Sequence, residues 1–589
     1  MPNNHHGEHS APSGGALRAL ALFGPAALAL LLFAWSARSA DGMRHLFTVA
    51  SYYIIFAMTL CWGWVVAAWL KNEGFGLAGF IGRNRIGLAA ALLLSVAVFV
   101  SMKPDLQVLS DETNLLAVSK SMVYDRQVLN QTMGNYYYGN FWPIEGGVEK
   151  RPLLFPFFVH IFHVLLGYGV RNAFLVNFLT LFALLSGVYL VTRRRLDEPS
   201  SLAAILLTAS YPIVTISAAS AGYDLLAMLF LFLSAVSLYG FMEKPENYTR
   251  FALLWMNLVM LANVRHESLM FLPLTAGGAW LMGYVSREML KQSMPLFGAT
   301  ALFMAPLTWQ KKLSAGTYEN PPGVPLFGFS HFADHLEIMV KAQTDFSFAY
   351  PFNTAANLLA FGSLAWFFYL LLKKKIALQP RQLHFAALVL LLLAAANTVF
   401  LAHFLGLYIH PTQSRLFLSF AVACALAPVL LKSLRPATFG KHGLLVFAIA
   451  TFLPYHASAV TGRFMNTTTL PRESRHCYRF LERQGERQIL VISDRPGQYA
   501  AFDYGAVDFG YANRNTEQLK QDLRRHLMRE IYAFQRISYA SGQPTPETAL
   551  SADFHLAALY EIQITAIEFL RISRVTPDKP AADHSPILP

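Results

Sequence analysis

Charge is scarce in this chain of 589 residues: only 14% are Asp, Glu, Lys or Arg, against about 25% in an average soluble protein. Cysteine is scarcer still. There are three, which suggests no disulfide framework. Cys61 and Cys424 lie inside apolar runs, leaving Cys477 alone in the polar part, where an external thiol reagent is expected to reach it. The last 130 or so residues carry no Gly-rich phosphate loop, no Cys/His metal spacing and no nucleophile elbow, so they reveal no catalytic role of their own. The formal net charge of +12 invites a nucleic-acid partner. Its distribution excludes one, because Lys and Arg gather in short loops between apolar runs, as they do on the cytoplasmic side of membrane proteins.

Apolar residues are abundant, at 54%, and they come in long runs. A bilayer core about 30 Å thick needs about 20 apolar residues of helix, and only a helix that satisfies its own backbone survives there. Thirteen spans are predicted: 17–37, 46–70, 86–101, 173–192, 201–219, 222–242, 250–264, 268–283, 294–309, 354–372, 383–403, 413–431 and 442–459. The first is too long for a cleaved signal peptide and lacks an A-x-A-like site. An inside N-terminus puts Lys71, Arg83 and Arg85, Arg193–Arg195, Arg287 and Lys291, Lys373–Lys375, and Lys432, Arg435 and Lys441 in the cytoplasm, with only Arg38 and Arg44 dissenting. Residues 153–168, with Pro156, His160 and His163, are then expected to form an amphipathic helix in the outer interface rather than a span.

The predicted domains are a polar, disordered stretch at 1–16, a transmembrane region at 17–459 with external loops 102–172 and 310–353, an external α/β domain at 460–575, and a loose tail at 576–589. Within the α/β domain, helices are predicted over 475–484 and 515–534, and strands over 489–493, 536–540 and 566–572.

The first external loop holds the residues with chemistry. Ser110 is placed to cap a helix whose first turn carries Asp111 and Glu112. Those acids either complement the helix dipole or supply a general base. About 100° apart on the helix, they should not share one role. Lys150 and Arg151, just before Pro152, either anchor the next helix to headgroups or hold a substrate phosphate. Asp224 sits near the outer end of a hairpin, where an acid is costly and usually functional or paired. Arg265, His266 and Glu267 tip another hairpin, and His410 and Arg415 lie in the last external turn. The aromatic stretch 136–145 has faces for a sugar or an isoprenoid, or for a membrane interface.

This arrangement resembles the GT-C glycosyltransferases, a superfamily that includes the aminoarabinose-lipid A transferases and protein O-mannosyltransferases. The resemblance rests on Asp111-Glu112 opening the loop, Lys150-Arg151-Pro152-Leu153 before an interfacial helix, and a span ending at Arg193–Arg195. It extends to about residue 460. Two extra spans precede the loop, Arg151 stands where the family often has proline, and Leu416 replaces a usual tyrosine.

The resemblance implies a polytopic all-α membrane domain with a small C-terminal α/β domain. It implies an inverting transfer of a hexose or pentose from a polyprenyl monophosphate to an acceptor hydroxyl on a lipid, glycan or protein, outside a bacterial inner membrane. In that reading Asp111 is the base, with Glu112 and Asp224 as further catalytic acids. Lys150, Arg151, Arg265, His410 and Arg415 hold the donor phosphate. No cofactor is called for, and a divalent metal stays open. Two rivals remain. A lipid-linked glycan polymerase or ligase takes a diphosphate donor. A secondary transporter requires inverted repeats and mid-span polar residues, and neither is visible here.

Overall fold

The computed structural model describes residues 14–107, 109–138, 140–315, 323–376, 378–404, 406, 414–435, 439–440, 442–461, 469–485 and 488–576. Among them, eight helices are long and apolar enough to cross a membrane: Ala40–Asn72, Leu77–Met102, Arg171–Arg193, Asp224–Glu243, Thr354–Leu372, Pro380–Ala402, Arg415–Leu434 and Gly443–Val460. A ninth span results if Glu198–Ala209 and Pro212–Ala218 are taken together across their 73° bend. Pro212 accounts for that bend, because its ring fixes φ and it has no N–H to continue the ladder.

The other four expected spans are shorter or interrupted, so helix length does not give thirteen. The run 17–37 falls in Gly14–Ser36, with its apolar stretch at Phe23–Ser36. The run 250–264 is Tyr248–Ala262, 15 residues. The run 268–283 divides into a 3₁₀ turn, His266–Met270, and the helix Phe271–Leu281. The run 294–309 breaks at Met304 into Met294–Phe303 and Ala305–Leu313, each with a proline in its first turn. Tyr248–Ala262 is packed among other helices, and its buried Asn257 accepts from Trp62 Nε1 (2.8 Å) and donates to Ser237 Oγ (2.8 Å).

The segment at 153–168 folds as the 13-residue helix Leu154–Leu166. At about 1.5 Å per residue it is too short to span. Phe155, Phe157 and Val159 are buried, while Val164, Leu165 and Leu166 are exposed, as an interfacial helix requires. Its two histidines face inward. His160 shares a hydrogen bond with the Tyr52 hydroxyl (3.1 Å), and His163 with Ser119 Oγ (3.1 Å) and Asn172 Nδ2 (2.8 Å). Burial pushes each imidazole down to about 4, so both are neutral at pH 7.

A seven-stranded sheet joins two strands from the segment between Leu77–Met102 and Arg171–Arg193 to five that follow the last span: β1 (Leu129–Tyr137), β2 (Asn140–Val148), β3 (Ile489–Ser493), β4 (Gly505–Val507), β5 (Glu530–Ser538), β6 (His555–Gln563) and β7 (Glu568–Thr576). Its order is β2-β1-β4-β3-β5-β7-β6, with β3 parallel to β4 and β5 and every other pairing antiparallel. Strand β3 (ILVIS) is buried along its whole length because both faces are covered.

Three sequence expectations change here. The aromatic stretch 136–145 is no loop but most of a hairpin that joins this sheet through Gly134 opposite Ala506. The helix expected over 515–534 ends at Arg524 and gives way to β5 at Glu530, where pairing to β3 and β7 overrides local propensity. Cys477 is fully buried in the domain core, out of reach of a thiol reagent.

Candidate active site

The helix Leu109–Tyr124 sets the site. It begins before Ser110, which therefore lies in the first turn rather than at the cap. Asp111 divides its two oxygens, Oδ1 accepting from Arg151 Nη2 and Oδ2 from Arg415 Nη2. Arg415 continues through Nη1 to Asp224 Oδ2 (3.2 Å). Asp224 Oδ1 accepts from Arg265 Nη1 (3.0 Å), and Arg265 Nε lies 3.5 Å from Glu267 Oε2. On the other side, Arg151 Nη1 donates to Glu149 Oε1 (2.5 Å). Glu149, Arg151, Asp111, Arg415, Asp224, Arg265 and Glu267 thus form one string in which carboxylates and guanidiniums alternate.

Such a string is expensive to build, since desolvation offsets much of the Coulomb gain, and removing one member of a buried pair costs about 3–5 kcal/mol. Clustered, tightly paired charges of this kind mark functional sites more often than stabilising ones. Burial pushes the Asp111 carboxyl up, but the adjacent Arg415 and Arg151 pull it down further. The net result lies below the usual carboxylate value, so Asp111 is ionised at neutral pH.

Local backbone contacts fix both ends of the string. Gln310 Nε2 donates to the carbonyls of Glu149 (2.6 Å) and Arg151 (2.7 Å), and His266 Nε2 donates to the Lys150 carbonyl (2.9 Å). Asn177 Nδ2, mid-helix, holds the carbonyls of Ser220 (2.7 Å) and Gly222 (2.8 Å) just before Asp224. Glu112 is 1% exposed and takes a different job from Asp111: its Oε2 accepts from the Gln107 amide (2.7 Å). A Cβ on Gly222 would lie 3.5 Å from Asp224 Oδ2 and 3.7 Å from Glu112 Oε1. Both acids therefore approach that glycine, and a larger side chain would press on the two carboxylates.

A pocket opens beside this string. Asp224, Arg265, Glu267 and Ser268 line it together with Met228, Leu231, Leu261, Phe271, Phe400 and Leu416. Asp224, Ala227, Met228 and Leu231 descend one face of the same helix at i, i+3, i+4 and i+7. The charge is therefore at one end of the pocket, at the helix N-terminus, and the lining beyond it is mostly apolar. Among the described residues, no group of three or more His, Cys, Asp and Glu is arranged to hold a metal ion.

Residues 150–309 match the family model of dolichyl-phosphate-mannose-protein mannosyltransferases. Over that stretch, about a quarter of the chain, the sequence is similar to those glycosyltransferases. The matched stretch begins at Lys150 and contains Arg151, Asp224 and Arg265. No curated protein matches the whole sequence. Distant likenesses among solved structures include ArnT from Cupriavidus metallidurans bound to undecaprenyl phosphate (11% identity, 84% of this chain and 98% of that one, TM-score 0.47). Others are the Archaeoglobus fulgidus oligosaccharyltransferase in complex with Zn and sulfate (11%, 79% and 74%, 0.45) and the mycobacterial arabinofuranosyltransferase AftD (15%, 85% and 42%, 0.42).

Of the residues picked out from the sequence, Asp111, Arg151, Asp224, Arg265 and Arg415 meet in the string, and Glu112 borders it. Lys150 is half-buried beside it and contributes its carbonyl. His410 lies outside the described residues. Sequence reasoning did not single out Glu149, Gln310 or Asn177. Gln310 and Asn177 had a signal, a lone amide within or ending an apolar run, where an unpaired polar group is costly. Glu149 had none beyond its place next to Lys150.

Proposed function

We propose that this protein is a GT-C glycosyltransferase that transfers a sugar from a polyprenyl monophosphate to an acceptor hydroxyl on the extracytoplasmic face. The observation that carries this reading is the arginine-carboxylate string at one end of a mostly apolar pocket. A lipid-linked donor has the complementary shape, an anionic head on a long hydrocarbon tail. The tail packs along Met228, Leu231, Leu261 and Phe271, while the phosphate draws on Arg151, Arg265 and Arg415, with Lys150 nearby. The matched family is named for a monophosphate donor of this kind.

Asp111 then takes the proton from the acceptor hydroxyl as the oxygen attacks the anomeric carbon. The bond from that carbon to the phosphate oxygen breaks, and the guanidiniums stabilise the departing phosphate. In the free protein, Asp111 is a weak base because two arginines face it. A bound phosphate shares their charge and raises the basicity of Asp111 only when donor is present.

The test supplies membranes containing the protein with labelled polyprenyl-phosphate mannose, glucose, galactose and arabinose. Label leaves the polyprenyl phosphate for an acceptor with at least one of them and stays put with the matching diphosphates. Transfer from diphosphates alone would establish the polymerase or ligase reading instead.

Two further results are expected. Because its carboxyl is held low, Asp111 is in base form throughout the neutral range, and kcat/KM of the free enzyme stays flat down to about pH 5. The stability that the two arginines confer through Asp111 is complete above its unfolded pKa of about 3.9 and is lost as pH falls through the lower folded value. An acid limb near pH 6 would exclude Asp111 as the titrating base.

The second concerns sidedness. A cysteine at the exposed Ser541 reacts with an impermeant maleimide from outside, and one at the exposed Arg194 does not. Outside labelling at Arg194 would invert the topology.

A further inference from the structure

Among the described residues, Lys120 is the most completely buried charge outside the site, at 0% exposure. Its ammonium meets Asp503 Oδ1 at 2.9 Å and donates to the Ala500 carbonyl (3.0 Å) and the Tyr136 hydroxyl (3.2 Å). It also sits 3.7 Å from the centroid of the Phe141 ring, with Tyr168 at 5.3 Å. Tyr136 donates to the same Asp503 oxygen, and Tyr168 donates to the Ala501 carbonyl. Asp503 itself adopts a left-handed backbone (φ 70°), a conformation Asp tolerates better than most residues. Four segments converge on one cation: the helix Leu109–Tyr124, the β1–β2 hairpin, the turn after the interfacial helix, and the loop between the short helix Pro496–Ala501 and β4.

Helix geometry links this cluster to the chemistry. Lys120 follows Asp111 by nine residues, which at about 100° each puts them on opposite faces, about 13 Å apart along the axis. One face of the helix presents Asp111 to Arg151 and Arg415, and the other is held by the C-terminal domain.

We propose that Lys120 is a positioning residue: with Asp503 it latches the C-terminal domain onto the helix Leu109–Tyr124 and so fixes the rotation and depth of Asp111. The catalytic consequence rests on the reading of Asp111 as base. The C-terminal domain is then part of the catalytic apparatus while contributing no group to the reaction. A helix released from the latch rolls and slides against the arginines, and misplacement of a base by about 1 Å lowers turnover by as much as about 10²-fold. The donor phosphate site, built by Arg151, Arg265 and Arg415 on other elements, is left intact.

The experiment uses the full chain with Lys120→Met, Asp503→Asn and the conservative Lys120→Arg. Three quantities are read: hydrogen exchange over residues 111–118, binding of sugar-free polyprenyl monophosphate, and kcat for sugar transfer. Lys120→Met and Asp503→Asn are expected to speed exchange in the helix and lower kcat by about 10–100-fold, with lipid phosphate binding within about twofold. Lys120→Arg is expected to recover most of the turnover.

Unchanged exchange in both variants overturns the latch. A parallel loss of phosphate binding, kcat and thermal stability reduces Lys120 to a structural residue and overturns it as well. Should Lys120→Met fail to fold, the milder Asp503→Asn carries the same test. A fully active Asp111→Asn protein defeats the base assignment by itself, and the exchange data still decide whether Lys120 fixes the helix.

Discussion

Asp111→Asn is expected to lower sugar transfer by about 10²–10⁴-fold, the usual contribution of a positioned base. Asparagine keeps the size of the side chain but accepts no proton. The same substitution removes a negative charge that faces Arg151 and Arg415, so both guanidiniums become more available to an anion. Polyprenyl monophosphate should therefore bind as well as before, or more tightly. That opposite movement of turnover and affinity distinguishes loss of a base from general damage, which would weaken both. Glu112→Gln is the comparison. Its carboxylate accepts from the Gln107 amide rather than facing the arginines, so the loss of turnover should be much smaller. Full activity in Asp111→Asn would pass the role to Asp224, the other carboxylate bound to Arg415.

Arg415→Ala should produce the largest loss of donor binding. This guanidinium touches both Asp111 and Asp224. Removing it deletes a charge-assisted contact to phosphate of roughly 1.5–3 kcal/mol, about 10–100-fold in Kd. It also brings two poorly solvated carboxylates into mutual repulsion. Thermal stability should fall too, because breaking a buried pair strands its partner. Arg415→Lys should rescue little: a compact ammonium does not span two carboxylates as a planar fork does. Unaltered Kd in Arg415→Ala would return this residue to a purely structural role.

Some of this was legible in the sequence for plain physical reasons. Long apolar runs have few alternatives to transmembrane helices. The charge in neighbouring loops set the segment at 153–168 apart from the spans, and it folds as a helix of only 13 residues. Asp111, Arg151 and Arg415 could be picked out because ionised groups beside the bilayer are rare and short motifs surround them.

What stayed hidden depends on distant pairing. The alternation of Glu149, Asp111, Asp224 and Glu267 with three arginines joins helices far apart in the chain, and no local pattern encodes it. The residues of β1 and β2 read as an aromatic loop because their sheet partner, β4, lies near residue 506. Strand β5 was read as helix up to residue 534, since only its neighbours β3 and β7 dictate extension there. The run at 294–309 has the composition of a span, but Pro295 and Pro306 start separate helices within it.

The sheet has a consequence for how the protein is made. Lys120 and the carbonyl it holds at Ala500 are 380 residues apart, and Tyr136 and Asp503 are 367 apart. A ribosome delivers the hairpin early, and every later span must be inserted before strand β4 emerges to pair with it. At about 5–20 residues per second, that is a wait of tens of seconds with the edge of β1 unsatisfied. Asp111's helix therefore gains its final support only when synthesis is nearly over. Under the proposed function, a chain that ends before strand β4 is expected to leave lipid-linked donor unconsumed.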